Sequence, residues 1–424
     1  MSFKFTFCSS PWFHMRIYNS GNYEYCRWAN KTEGNLGPNI KDVSPMDFFQ
    51  KHMTPVRNAL LAGESIPECK SCYQMEQHHK VSGRQRQLLK IGVRPEQFEK
   101  TLASSPWAKI FAADEFTQTP QDWQIDLGNY CNSACVFCGP ESSSKLASEH
   151  FKLGLIQQLP PEPWTNRPEL IQRFVDTLTV SSNIQYIHFI GGETLITPAF
   201  KTILVALIRA GLHRTATIGL TTNLFVWRQD IVDLLQQFKG VNLGMSVEAF
   251  APVNDYVRWP SRIDTVVENT EHWIKIAKQH DWLMQFRITP TALSIANLLS
   301  VYDIAWQHSI AVESCNFLQK PDHMRPGVLP KNVLDPIVSA MKNWIAQHPA
   351  DLPAHVINTR DPNIAQVQII QDLQSYVNYL ENSQDETHRL SDLVAYLKKL
   401  EGNRNNSILT YLPEYEELFR SAGY

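Results

Sequence analysis

From about residue 121 the chain alternates short apolar runs with longer amphipathic stretches, the rhythm of a parallel α/β unit. The runs Trp123–Leu127, Ile184–Ile190, Ala216–Thr222, Val241–Val247, Leu283–Thr289 and Ala311–Phe317 read as strands. Between them, Asn166–Val180, Pro198–Ala210, Val226–Phe238, Ile263–Gln279 and Ala292–Gln307 repeat apolar residues at i, i+3 and i+4, as surface helices do. Six β/α repeats predict an α/β fold built on an open, partial TIM-like (β/α)6 barrel. Polar residues gather where the strands end: Gly191-Gly192-Glu193 after the second, Asn223 after the third, Ser246 and Glu248 after the fourth. Loops on that face converge on a barrel's mouth, so a site is expected there. His188 and Arg287 project from strands and are candidates for the cavity. Beyond residue 320 the stretches Leu334–Gln347, Ile364–Leu380 and Glu386–Leu400 are amphipathic, with proline punctuation from Pro321 to Pro353, so a helical extension follows.

Composition narrows what such a barrel serves. A length of 424 residues predicts two or three units, and a net charge of -3 with 19% charged residues supplies no field for a polyanion. Long nucleic acid is therefore not expected as the main partner. The start, Met1-Ser-Phe-Lys-Phe-Thr-Phe7, lacks a signal-peptide apolar stretch, and no run of eighteen apolar residues follows, so a cytoplasmic protein without a membrane span is expected. Eight cysteines in that compartment read as metal ligands rather than disulfides. Seven fall into two groups, Cys8, Cys26, Cys69 and Cys72, then Cys131, Cys135 and Cys138; Cys315 stands apart and reads as a small buried apolar residue.

The second group has the spacing C-x3-C-x2-C. Three thiolates so close can hold three irons of a [4Fe-4S] cluster and leave the fourth open to a small molecule; a zinc site is the competing reading. For the first group, four thiolates with a C-x2-C pair fit a fully ligated iron-sulfur cluster or a four-cysteine zinc site.

Residues 121 to about 320 resemble the radical S-adenosylmethionine (SAM) superfamily: the cysteine loop after the first strand, Phe137 before its last cysteine, Gly191-Gly192-Glu193 after the second strand and Thr221-Thr222-Asn223 after the third occur in family order. The resemblance implies that Cys131, Cys135 and Cys138 hold the cluster while the SAM amino and carboxylate groups chelate the open iron. It implies that Phe137 leans on the adenine, that Gly191 and Gly192 admit the methionine part closely, and that Glu193 accepts a hydrogen bond from its amino group. Asn223, Ser246 and Glu248 are expected near ribose or carboxylate, and Arg258 opposite the carboxylate. Ser246-Val-Glu248-Ala departs from the Ser-x-Asp-Gly form frequent among relatives with auxiliary clusters. The implied chemistry is one-electron cleavage of SAM to a 5'-deoxyadenosyl radical that abstracts hydrogen from a substrate.

The N-terminal pattern, Cys8 to Gly21 to Cys26 and then Cys69-Lys-Ser-Cys72, resembles the start of the auxiliary-cluster module called SPASM, or its shortened form twitch, placed before the barrel instead of after it. An auxiliary [4Fe-4S] cluster ligated by Cys8, Cys26, Cys69 and Cys72 is implied, with zinc as its rival; His78 and His79 read as helix surface. The expected plan is a small cysteine-rich α+β auxiliary domain over 1–120, the barrel over 121–320 and the helical extension over 321–424. Relatives with auxiliary clusters most often modify peptides or proteins, including precursors of ribosomally made, post-translationally modified peptides, and one branch excises tyramine from the precursor backbone. The implied partners are then a precursor peptide, a separate small leader-binding protein and a reductant such as flavodoxin or ferredoxin. A small-molecule radical enzyme, acting on a sugar, nucleoside or amino acid, is the alternative within enzymes. A non-catalytic iron or zinc protein is the alternative outside them.

Overall fold

In a computed structural model, the described residues are 6–29, 37–77, 82–93, 107–111, 118–181, 183–313, 317–349 and 362–424. Cys315, His78 and His79 lie outside them. The strands are β1 (His14–Ile17), β2 (Tyr23–Glu24), β3 (Asp122–Asp126), β4 (Tyr186–Ile190), β5 (Thr217–Thr222), β6 (Gly240–Ser246), β7 (Leu283–Arg287) and β8 (Ala311–Glu313). They form one sheet in the order β2-β1-β3-β4-β5-β6-β7-β8, open at both edges. The six predicted strands are β3 to β8, all parallel to their neighbours.

The sheet then runs on into the N-terminal segment. β1 pairs parallel with β3 through His14↔Asp122 and Ile17↔Ile125, and β2 turns back antiparallel beside β1. The cysteine-rich segment is thus joined to the barrel by a shared sheet.

Period two along the strands decides what the barrel contains. Trp123, Ile125, Ile187, Phe189, Ile218, Leu220, Val241, Leu243, Met245 and Phe286 are buried on the outer face. There they meet the crossover helices; Phe189 packs 5.0 Å from Phe200 of the helix Pro198–Arg209, and Trp123 5.7 Å from Phe174 of Pro168–Thr179. The alternate positions are mostly polar, with the apolar Ile190, Leu283 and Ala311 among them. Asp122, Gln124, Tyr186, His188, Thr221, Asn242 and Arg287 form the inner face, where most parallel sheets carry aliphatic residues on both sides.

The C-terminal extension consists mainly of the helices Lys331–Gln347, Pro362–Glu381 and Leu390–Arg404. No helix among the described residues is long and apolar enough to cross a membrane.

Candidate functional site

The cysteine loop leaves the end of β3 and lies against the segment Val257–Trp259, through Ala134 N to Trp259 O at 2.7 Å and Val136 N to Val257 O at 2.9 Å. It runs into the helix Ser144–Lys152, whose cap, Ser143, also donates to Ser133 O at 2.5 Å. These bonds present the sulfurs to one side. Ser133 N points to Cys131 Sγ at 3.4 Å, and Ser133 Oγ lies 2.9 Å from Cys135 Sγ. Burial pushes the Cys131 thiol up to about 12. A hydrogen bond from Cys138 draws the Cys135 thiol down, with help from Arg258, Ser133 and Arg404.

The donor set suits a cluster. Three soft thiols lie on one loop beside the buried Arg258 and Arg404, and thiolates that bind different irons need not converge on one point. Among the described residues, no three His, Cys, Asp or Glu side chains gather round a single metal-ion position.

The Gly191-Gly192-Glu193 turn abuts the base of that loop. Gly191 has φ +95°, and a Cβ there would meet Asp126 Oδ1 at 2.1 Å and Gly128 O at 2.5 Å. A Cβ on Gly192 would stand 2.2 Å from Tyr130 O, the residue before Cys131. Both glycines are therefore required by packing inside the protein, whatever approaches from outside. Glu193 N donates to that same Tyr130 O at 2.9 Å.

The buried Glu193 carboxylate accepts from Leu195 N at 3.1 Å and Asn223 N at 2.6 Å. Burial raises its pKa, and the two backbone donors oppose the shift. Asn223 reaches back to Asn132 Oδ1 at 2.7 Å, which ties the end of β5 to the cysteine loop.

Glu248 and Arg258 close the other side. Arg258 donates to Glu248 Oε1 at 2.8 Å, and Thr289 N to Oε2 at 2.7 Å; both side chains are buried. Burial lifts the Glu248 carboxyl to about 7 against the pull of Arg258. The Arg258 guanidinium also sits 5.8 Å from the Phe137 ring, and its Nε is buried without a hydrogen-bond partner. A glutamate one methylene longer than aspartate thus spans from β6 to both Arg258 and Thr289.

Ser246 ends β6 in register with Arg287, which leans toward Glu313 at 3.5 Å. His188 is buried on the inner face, stacked 6.0 Å from Tyr186, with Nδ1 unpartnered and its pKa held well down by burial. The structure therefore brings Cys131, Cys135, Cys138, Phe137, Gly191, Gly192, Glu193, Asn223, Glu248 and Arg258 to one end of the sheet, with Ser246 and Arg287 bordering them. His188 lies deeper, in register with Gln124 and Gly219.

Cys8, Cys26, Cys69 and Cys72 line a single cavity with Trp28 and Arg84. Ser10 N points to Cys8 Sγ at 3.5 Å, Trp28 N to Cys26 Sγ at 3.3 Å, and Tyr25 Oη lies 3.9 Å from Cys69 Sγ. Burial raises Cys8, Cys26 and Cys69. Four thiols in one cavity, two of them met by peptide N–H groups, again suit an iron-sulfur cluster, whose sulfurs accept such bonds. Next to Cys26, Arg27 donates to Asp122 Oδ1 at 2.8 Å, so this cavity adjoins the inner face at the strand starts, opposite the cysteine loop.

Two groups of residues had no signal as site residues in the sequence. Arg404 and Tyr396 of the C-terminal helix bond to the cysteine loop, at Ala134 O and Val136 O. His14, Arg27 and Lys90 surround Asp122. For the second group the alternation Asp122-Trp-Gln-Ile-Asp126 was the one available clue.

Residues 125–282 match the family model described as Radical SAM superfamily. Among solved structures, Streptococcus suis SuiB bound to S-adenosylmethionine aligns at 14% identity and TM-score 0.33, over 54% of this chain and 45% of that one. SuiB bound to precursor peptide SuiA aligns at 13% and 0.36, over 72% and 63%. The radical SAM methyltransferase TsrM from Kitasatospora setae, with tryptophan and a SAM analogue bound, aligns at 14% and 0.32, over 45% and 34%. The chain thus spans about half the length of the first of these. No curated protein matches it.

Proposed function

From the match of residues 125–282 to the Radical SAM superfamily model, we propose that this chain is an enzyme that cleaves SAM reductively and uses the resulting radical on a precursor peptide. One observation carries the first part: the loop of Cys131, Cys135 and Cys138 is bonded through Tyr130 O and Asn132 to the Gly191-Gly192-Glu193 turn and Asn223, at the mouth of a polar half-barrel. A [4Fe-4S] cluster held by Cys131, Cys135 and Cys138 would supply the one-electron reduction of the SAM sulfonium that makes a hydrogen-abstracting 5'-deoxyadenosyl radical available.

The chain's own groups bind and orient. Cys131, Cys135 and Cys138 ligate three irons. Glu193, already given two backbone donors, keeps lone pairs for the SAM ammonium. The unpartnered Nε of Arg258 offers a charge-assisted bond to the SAM carboxylate, and Phe137 a ring face for the adenine. Ser246 and Glu248 border the ribose side. His188 and Arg287 face the substrate.

The peptide substrate rests on the cysteine pattern of the N-terminal segment. Cys8, Cys26, Cys69 and Cys72 hold an auxiliary [4Fe-4S] cluster whose full thiolate ligation suits electron transfer rather than substrate ligation. Beside that cavity Arg27 bonds to Asp122 at the start of the inner face, where an oxidised auxiliary cluster would be placed to accept one electron from a substrate radical. A separate leader-binding protein and a flavodoxin or ferredoxin reductant complete the set, and backbone tyramine excision is one reaction this arrangement accommodates.

The test uses anaerobically reconstituted, reduced protein mixed with SAM and a candidate precursor. Formation of 5'-deoxyadenosine, lost in Cys131→Ala and kept in Cys69→Ala, is expected. Its absence from wild type with intact clusters sinks the enzyme reading. Titration calorimetry with the leader, alone and with the candidate binding protein, tests the partner; tight binding by this chain alone counts against it.

A further inference from the structure

The sulfur-bearing loop is held from two sides, and only one of them belongs to the barrel. Val257 and Trp259 accept from its N–H groups at 136 and 134; the carbonyls of the same residues, Ala134 and Val136, point the other way. There they meet the C-terminal helix Leu390–Arg404. Arg404 NH2 donates to Ala134 O at 2.8 Å, and Tyr396 Oη to Val136 O at 3.1 Å.

Arg404 is fixed to do this. Its side chain is 1% exposed and forms a two-pronged pair with Glu149, Nε to Oε1 at 2.9 Å and NH2 to Oε2 at 2.6 Å. Its guanidinium lies 4.9 Å from the Trp259 ring, and NH1 is buried without a partner. Tyr396 is braced by His150 Nε2 at 3.1 Å. Glu149 and His150 both sit on the helix that follows the cysteine loop. One helix thus clamps the loop and its continuation together, from 260 or more residues away in sequence for the loop contacts.

Through its 2.8 Å bond to Ala134 O, the guanidinium places its charge against the residue that precedes Cys135. A buried cation beside a cluster favours the reduced, more negative form and raises its reduction potential.

We propose that Arg404 and Tyr396 are positioning residues for the cluster loop, with Arg404 also raising the potential of the cluster that Cys131, Cys135 and Cys138 hold. This rests on the cluster assignment made above.

The experiment uses the full-length reconstituted holoprotein, a redox titration followed by electron paramagnetic resonance on a Cys69→Ala background, and iron release to a chelator. Arg404→Gln should lower the midpoint potential, because a cation is lost and the Glu149 charge is left behind; Arg404→Lys should restore most of it. Tyr396→Phe, which changes no charge, should leave the potential in place but release iron about fivefold faster, the factor for one net hydrogen bond. Tyr256→Phe serves as control. It removes an anchor of the same helix, Tyr256 Oη to Glu401 Oε1 at 2.9 Å, without touching the loop, so iron release should match wild type.

A potential unchanged in Arg404→Gln overturns the electrostatic role. Iron release unchanged in Tyr396→Phe, or equally fast in Tyr256→Phe, overturns the positioning role. Should Arg404→Gln fail to fold, the Arg404→Lys and Tyr396→Phe pair still decides: the first must hold the potential and the second must speed release. A Cys69→Ala protein that takes up no iron at all, with Cys131→Ala equal to it, overturns the cluster assignment itself.

Discussion

Replacing Gly191 with alanine sets a methyl carbon 2.1 Å from Asp126 Oδ1 and 2.5 Å from Gly128 O, on a backbone with φ +95°. Neither contact relaxes cheaply: Gly128 O is backbone, and Asp126 accepts from Gly128 N at 3.1 Å. A left-handed non-glycine residue costs about 1–3 kcal/mol and an overpacked site a similar amount, so a loss of roughly 2–6 kcal/mol is expected. Against a typical stability of about 5–15 kcal/mol, that is a large share of what holds the chain folded. The strain falls on the stretch that leads into Cys131, so iron content after reconstitution should drop with the denaturation midpoint. Guanidinium unfolding and iron analysis on one preparation measure both. If the glycine served only to admit the methionine part of SAM, Gly191→Ala would keep wild-type midpoint and iron and lose SAM affinity alone. That outcome refutes the packing argument.

Arg258→Met strands the buried Glu248 carboxylate and should cost about 3–5 kcal/mol in thermal or chemical melts, while adding Glu248→Gln should return much of it; a single variant as stable as wild type defeats this. His14 is fully buried with Nε2 unpartnered, and burial lowers its pKa to about 4 despite Asp122. A folded value below the unfolded 6.5 makes its stabilising share complete above about pH 6.5 and lost as pH falls toward 4, roughly 3 kcal/mol in all. Urea midpoints of the apoprotein at pH 7 and pH 5 should therefore differ less in His14→Gln than in wild type. Reconstituted protein should carry about eight irons and eight sulfides, whereas about four irons with one zinc would assign the N-terminal site to zinc.

What the sequence made legible follows from how far each signal reaches along the chain. Period two and period 3.6 are local, so β3 to β8 and helices such as Ile263–Gln279 were readable to within a few residues at most ends. β1 was not, because the four residues His14-Met-Arg-Ile17 are too few to show a period, and their place beside β3 is set by a partner more than a hundred residues on. The same distance hid Arg404 and Tyr396, whose role exists only as contacts across the fold. The Gly-Gly-Glu motif was legible as a motif, but the reason for its glycines was not. Their nearest neighbours are Asp126, Gly128 and Tyr130, a packing fact that spacing cannot carry.

The polar inner face bears on the choice between a peptide and a small molecule. Its lowest row runs His14, Asp122, Tyr186 and Thr217, beside Arg27 and the N-terminal cysteine cavity. On β3 and β4 its last row is Asp126 and Ile190, just before the cysteine loop and the Gly-Gly-Glu turn. Four steps along a strand at about 3.3 Å each separate these rows by roughly 13 Å. A single sugar or amino acid engaging the radical end spans only the upper rows. An extended segment of about four residues, at the same rise, is as long as the distance between these rows. Peptides of two and of four or more residues around the modified position therefore should differ in turnover. Equal turnover by a free amino acid and a longer peptide would show that the lower rows take no part in binding, and would return the small-molecule reading to first place.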